Sequence, residues 1–368
     1  MRGLDLINKA FAAYVSDIYV RGGKVWFRAP DGVVEALAVP GVTREDVAAF
    51  VETVNAQGFL PANIASRFER EKVADFAATI SDPGSDVEIR LRVHAFYTRK
   101  EPAFAIRIIP PPAKSLEDIG LEKNIENRVR GNKGLFLVTG PTGAGKTTTL
   151  ATLIQNIALH EPVHVLTFED PIEYVIRPGR GLVHQRELHE DFPSFPEGLR
   201  SALRESPDVI LVGEVRDLET LRWTLTLAEA GFLVLASFHA RSPQEAVERI
   251  VGSFPEYEQN QAKVRLGTTL IGILSQVLLP ASGSHGAGRR RVVAYEYIFA
   301  DPALRTVIKE DKTQTIPNMI TSLTSKGMGI RYEDTLARLV RVGLLKRDAA
   351  LAAAPDPKLL EAKLRQDA

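Results

Sequence analysis

Apolar and polar positions repeat in two different ways along the chain. Up to about residue 109 the pattern mixes helical spacing with strict alternation. MRGLDLINKAFAAYV places Asp5 and Lys9 inside an apolar helical repeat, and REDVAAFVETVNAQ has the same period. SDIYV and KVWFRA flank a turn at Gly22 and Gly23, which predicts a two-stranded start. VEIRLRVHAFYT and EPAFAIRIIP alternate apolar and charged residues, as antiparallel strands with one wet face do. Residues 1–109 are therefore expected to form a small α+β domain.

From Gly134 the alternation disappears. GLFLVTG, VHVLTFE, DVILVGE and FLVLASF are short continuous apolar runs, the signature of strands buried on both faces of a parallel sheet. GKTTTLATLIQNI, PEGLRSALRES, LETLRWTLTLAEA and PQEAVERIV surround them at helical spacing. This predicts an α/β domain over residues 115–348, with a helical portion at its C-terminal end. Pro110 to Pro112 cannot sit inside a strand, so residues 110–114 are expected as the linker. Just beyond it, Ser115 and Asp118 have the spacing of a helix N-terminal capping box, with Asp in place of the usual Glu or Gln. ASGSHGAGRRR after Leu279 and Pro280 is a polar insert, and Arg289 to Arg291 within it are expected to be solvated. Residues 349–368 are expected as a surface helix or a frayed tail, and no internal repeat is evident.

Composition narrows the options. Lysine plus arginine equals aspartate plus glutamate at 46 each in 368 residues, so no global basic excess is available to track a nucleic-acid backbone. The chain has no cysteine, which removes disulfides and thiolate zinc sites, and no zinc is expected. His184 and His189 are badly spaced for a shared helical metal site. No run is apolar enough to span a membrane, and the charged N-terminal repeat does not fit a signal peptide. A soluble cytoplasmic protein is the default expectation.

The strongest chemical signal is LVTGPTGAGKTTTL. Gly140, Gly145, Lys146 and Thr147 satisfy G-x-x-x-x-G-K-S/T between a predicted strand and a predicted helix. Residues Gly140, Pro141, Thr142, Gly143, Ala144, Gly145, Lys146, Thr147 and Thr148 are thus the expected cradle for ATP. Glycines let backbone N–H groups face phosphate oxygens, and the helix N-terminus adds partial positive charge. Lys146 is placed to reach the β and γ phosphates, and the Thr147 hydroxyl to coordinate Mg2+.

Carboxylates supply the rest. Glu214 follows the apolar run DVILV at what would be the C-terminal end of a parallel strand, where sheets of this type bind ligands. It can polarise a water attacking the γ-phosphorus, directly or through magnesium; the blander reading is a cap for the next helix. Glu169, Asp170 and Glu173 in LTFEDPIEY form a second acidic cluster at a strand end, and spacing does not say which of them holds magnesium or water. His239, after FLVLASF, can sense the γ-phosphate or serve as a structural histidine. Arg92, Arg99 and Arg107 lie on or beside the predicted N-terminal strands, where an exposed strand arginine is the ordinary reading.

Together these boxes resemble the secretion and type IV pilus ATPases, most closely the pilus retraction ATPases of the PilT type. The resemblance runs from SDIYV to about Arg347 through the phosphate loop, TFEDPIE, ILVGEVRDLET and the box ending at His239. It implies a RecA-like P-loop ATPase domain joined to a smaller PAS-like N-terminal domain, with ATP held between them. It further implies a homohexameric ring whose domains rotate as ATP is spent, passing force to an inner-membrane pilus platform protein. By position, Glu214 becomes the hydrolytic glutamate, Glu173 the acidic-box glutamate near Mg2+, and His239 the histidine-box residue. Arg92, Arg99 and Arg107 match family arginines that contribute to the nucleotide site. A cytoplasmic protein held at the inner membrane through the pilus machine follows, with a paralogous pilus ATPase as a further partner.

Two places depart from the pattern. Gly231-Phe232-Leu233-Val234 stands where retraction motors have G-H-L-V, which bears on force coupling and not on hydrolysis. Ala303–Glu310 (ALRTVIKE) is a diverged A-I-R-N-L-I-R-E that keeps Arg305 and Glu310 but carries Thr306 and Lys309. Extension and type II secretion ATPases generally carry a four-cysteine zinc insertion, which a cysteine-free chain lacks. A type IVB secretion ATPase or an accessory retraction paralogue fits the length. Of other classes, a nucleic-acid translocase is disfavoured by charge, and an inactive ring-binding paralogue by intact Lys146, Thr147 and Glu214.

Overall fold

The computed structural model describes residues 3–12, 15, 17–29, 32–55, 59–60, 62–81, 88–109, 113–282 and 291–365. The proline run at 110–112 and insert residues 283–290 lie outside them, Arg289 and Arg290 included. The chain divides into two compact units, Met1–Pro111 with Pro171–Val175, and Pro112–Asp170 with Ile176–Ala368.

The first unit contains α1 (Gly3–Ala12), β1 (Asp17–Arg21), β2 (Lys24–Ala29), β3 (Gly32–Glu35), α2 (Arg44–Asn55), α3 (Ala62–Glu71), β4 (Val73–Ser81), β5 (Glu88–Thr98) and β6 (Glu101–Ile109). Its antiparallel sheet has the order β3-β2-β1-β6-β5-β4. Alternation sets the two faces. Ile18 and Val20 on β1, Leu91, Val93 and Ala95 on β5, and Phe104 and Ile106 on β6 pack in one core with Leu6 and Ile7 of α1, Phe50 of α2 and Phe68 of α3. The intervening positions, Asp17, Arg92 and Arg107 among them, necessarily point to the other side. Pairing registers put Arg28, Asp17, Arg107 and Arg92 in one row across β2, β1, β6 and β5.

The second unit begins with the Ser115–Asp118 pattern. Its reciprocal bonds form, Ser115 N–H to Asp118 Oδ2 at 2.9 Å and Asp118 N–H to Ser115 Oγ at 3.1 Å. Only one turn of 3-10 helix follows, because Gly120 turns left-handed at φ 87°. Then come α4 (Lys123–Val129), β7 (Gly134–Thr139), α5 (Lys146–His160), β8 (His164–Glu169), β9 (Leu182–Glu187), α6 (Phe195–Ala202), β10 (Val209–Val212), α7 (Leu218–Glu229), β11 (Leu233–Phe238), α8 (Pro243–Gly252), α9 (Glu256–Thr269) and β12 (Leu270–Pro280). β13 (Arg291–Phe299), α10 (Pro302–Lys309), α11 (Ile316–Leu323), β14 (Gly329–Ile330), α12 (Tyr332–Arg341), α13 (Arg347–Ala353) and α14 (Pro357–Arg365) complete it.

Eight strands form one sheet in the order β14-β13-β12-β7-β11-β10-β8-β9, parallel from β12 through β9 and antiparallel at β13 and β14. Every residue of β7, β10 and β11 is buried, as their unbroken apolar runs require. The C-terminal segment is not a frayed tail over its described length: Ala350 and Leu360 are wholly buried against Tyr332, Leu336 and Val292. In α10, Arg305 donates to the carbonyls of Gly267 and Thr268 and so caps the C-terminal end of α9. Phe232 packs against the core, and its carbonyl accepts the Gly134 N–H at 2.9 Å where β7 begins. Among the described residues no helix is long and apolar enough to cross a membrane.

Candidate active site

The parallel strands bring their C-terminal ends together, and the chemistry sits on the turns that leave them. β7 runs straight into the glycine turn. Gly140 adopts φ 149°, and a Cβ there would lie 2.3 Å from the carbonyl oxygen of Gln276 on β12. Only glycine lets the turn pass so close to the neighbouring strand. Pro141, Thr142, Gly143 and Thr147 are exposed, Gly145, Lys146 and Thr148 half-buried, and Ala144 buried. Lys146 Nζ donates to the carbonyls of Gly140 at 2.8 Å and Pro141 at 3.2 Å. Burial lowers the pKa of its ammonium, and the charge of Glu214 works the other way.

Glu214 lies just beyond β10. The Gly213 N–H bonds the Phe168 carbonyl at 2.8 Å, Ser237 Oγ bonds the Gly213 carbonyl at 2.6 Å, and the Val215 N–H bonds the Ser237 carbonyl at 3.1 Å. The backbone carrying Glu214 is thereby stitched to β8 and β11. Its carboxylate meets His239 Nε2 at 2.6 Å and Arg216 Nε at 2.8 Å, and Arg216 also reaches Asp170 Oδ2 at 3.2 Å. Burial opposes ionisation of Glu214, but the hydrogen bond and charge of Arg216, then those of His239, outweigh it and hold the carboxyl below its ordinary range. The helix-cap reading belongs to a different residue: Asp217 accepts the Thr220 N–H at 2.8 Å and caps α7.

The acids of LTFEDPIEY take three different partners. Glu169 is buried and accepts from Thr167 Oγ1 at 2.7 Å and Gln185 Nε2 at 3.0 Å. Asp170 shares Arg216 with Glu214. Glu173 lies in the segment that belongs to the first unit, where Arg92 reaches its carboxylate at 3.1 Å. Arg107 instead takes Asp17 at 2.9 Å. Arg99 and Lys100 are the exposed tip of the β5–β6 hairpin, both left-handed at φ 50° and 69°. His184 and His189 are not brought together as a pair: His184 Nδ1 is 3.0 Å from His164 Nε2, and His189 stands at φ 67°. Among the described residues no group of three or more metal-ligating side chains occurs.

Two contacts were not foreseen from the sequence. The His239–Glu214 bond needs β10 and β11 to be neighbours, which unbroken apolar runs do not specify. Gln276 is a neutral amide inside the apolar run LIGILSQVLLP, yet it bonds both Ala144 and Thr149.

A glycine turn between a buried parallel strand and a helix, with a lysine on it and a histidine-braced glutamate on a nearby strand of the same sheet, defines an ATPase of the phosphate-loop class. The sequence family described as Type II/IV secretion system protein matches residues 77–322, and this chain belongs to that family. It is similar to the protein of Neisseria gonorrhoeae named Twitching motility protein, 42% identical over 261 residues, 71% of this chain and 68% of that one. It is 35% identical over 343 residues to the Type IV pilus retractation ATPase PilT of Pseudomonas aeruginosa, covering 93% of this chain and 95% of that one. Among solved structures, that of the pilus retraction motor PilT with bound ADP superposes with a TM-score of 0.81 at 36% identity, over 98% of both chains.

Proposed function

We propose that the chain is the ATP-driven motor of type IV pilus retraction, working as a homohexamer on an inner-membrane platform protein. The observation that carries the chemical half of this reading is the placement of Glu214, bonded to His239 and close enough to the Lys146 ammonium to influence its ionisation. The retraction half rests on the similarity across nearly the whole length to a protein named for that activity. In this reading the loop amides and Lys146 hold the phosphates. Glu214, kept ionised by Arg216 and His239, takes the proton of the attacking water. His239 fixes the carboxylate through its short bond, so that one oxygen keeps its orientation.

Mg2+ suits the available donors. Thr147 offers an exposed hydroxyl and Glu214 a carboxylate, a hard oxygen pair of the kind magnesium takes together with substrate phosphates. When bound, the ion would neutralise charge on the phosphate oxygens. Glu173 is assigned to the same chemistry by resemblance, as are Arg92, Arg99 and Arg107 as cations assisting turnover. The first unit is read as the PAS-like domain (residues 1–109) and the second as the RecA-like domain (115–348), with the helices that follow residue 348 packed on its C-terminal portion.

The direction of the motor is tested in a strain lacking the chain. Surface pili should accumulate and twitching should stop; loss of pili would instead assign the protein to extension. Light scattering with nucleotide should report six copies, and a monomer at every concentration would refute the ring.

A further inference from the structure

Strand β12 carries a polar side chain whose two ends are both committed to the phosphate loop and its helix. Gln276 is buried, with 4% of its surface exposed. Its Nε2 donates to the Ala144 carbonyl at 2.7 Å, and its Oε1 accepts from Thr149 Oγ1 at 2.9 Å. One residue earlier, the buried Ser275 and Thr139 hydroxyls share a bond of 2.7 Å at the point where β7 gives way to the loop. The backbone carbonyl of Gln276 is also the group that a side chain at Gly140 would strike. Both ends of the loop therefore lean on one short piece of β12.

We propose that Gln276 is a positioning residue for the nucleotide phosphates. The proposal rests on the loop being the nucleotide site. Its physical basis is the planar trans peptide: within one peptide unit the carbonyl and the next residue's N–H point in opposite directions. Holding the Ala144 carbonyl against Gln276 therefore aims the Gly145 N–H away from β12. It also keeps a carbonyl oxygen, which would repel phosphate, out of the loop interior. The second bond ties this peptide to Thr149 in the first turns of α5, the helix whose N-terminal end adds positive charge to the same place. Gln276 touches neither Glu214 nor His239 in any bond described above, so its effect belongs to holding the phosphates and not to activating water.

The test compares the full-length parent with Gln276→Glu, Gln276→Leu, Thr149→Val and, as a control, Lys146→Ala. A fluorescent ADP analogue measures binding, and phosphate release measures KM for ATP and kcat. Ionised glutamate, assayed at alkaline pH, keeps the acceptor for Thr149 but sets a carboxylate oxygen against the Ala144 carbonyl; leucine loses both bonds. Both should weaken ADP binding by about tenfold or more and raise KM alongside, with kcat at saturation kept within about threefold. Thr149→Val should weaken binding by about threefold. Melting without nucleotide identifies the folded variants, and the nearly isosteric Gln276→Glu carries the test if Gln276→Leu does not fold. A folded Gln276 variant with parental ADP affinity and parental KM overturns the assignment. If Lys146→Ala binds ADP as tightly as the parent, the loop is not the nucleotide site and the reading beneath the proposal fails instead.

Discussion

The phosphate loop and the arginine row of the N-terminal sheet both carry charge on a strand framework, but they are built in opposite ways. In the loop the proposed phosphate contacts come from backbone amides, and side chains bond the backbone around them: Gln276 to Ala144, Ser275 to Thr139 where β7 ends, and Lys146 to its own turn. In the sheet the backbone is already used in ladder pairing, and Arg28, Arg107 and Arg92 stand with Asp17 in one row across four strands, Arg107 paired with Asp17 and Arg92 with Glu173. A backbone site announces itself in the sequence, because it needs glycines at fixed places. A side-chain row does not, because any wet strand face tolerates arginine.

Five substitutions would break or sharpen that contrast. Glu214→Gln should lower kcat by about a thousandfold, by removing the base, while ADP binding stays near the parental value. Normal phosphate release would move the role to another residue. Lys146→Ala should weaken nucleotide binding by on the order of a hundredfold, measured by equilibrium titration. Undiminished affinity would take the loop out of the site.

Arg92→Ala and Arg107→Ala should each reduce kcat by about tenfold if the row assists turnover. As partly exposed ion pairs, with Arg92 41% and Arg107 61% exposed, they should cost no more than about 1 kcal/mol in stability. Unchanged kcat would return both to ordinary strand arginines.

The smallest effect is expected in the pH profile of Arg216→Ala. Arg216 helps to depress the pKa of Glu214, so removing it should raise that pKa, and the acidic limb of kcat should move to higher pH. The same linkage has a sign in stability. A depressed carboxylate contributes stability above its unfolded pKa and loses it as pH falls through the folded one, so the variant should be less stable than the parent at neutral pH, and the difference should close as acid protonates Glu214. A limb that stays in place would show that Glu214 does not set it.

Local order was easier to read than partnership. The strand runs from Gly134 onward and the glycine turn were legible because burial on both faces and left-handed φ each demand particular residue types. Gly140 and Gly145 could hardly be anything else. The pairing of Glu214 with His239 was hidden because it depends on strand order. The role of Gln276 was hidden because an amide in an apolar run gives no sign of its partner 132 residues away. The segment after Arg347, expected as a surface helix or a frayed tail, hid its packing because its burial rests on a few positions, Ala350 and Leu360 above all. The acids of LTFEDPIEY shared a motif but not a destination, since β8 ends at Glu169 and the chain bends at Asp170 and Pro171 before it reaches Glu173.

The hairpin tip at Arg99 and Lys100 offers a last consequence. Two-residue turns with both central φ positive favour Asn-Gly, and long side chains there are held at a conformational cost of roughly 1 kcal/mol per residue. Grafting Asn-Gly into the hairpin would therefore toughen the sheet while stripping two cations from its end. If such a chain melts later yet drives its machine less well, the tip will have been trading rigidity for charge all along.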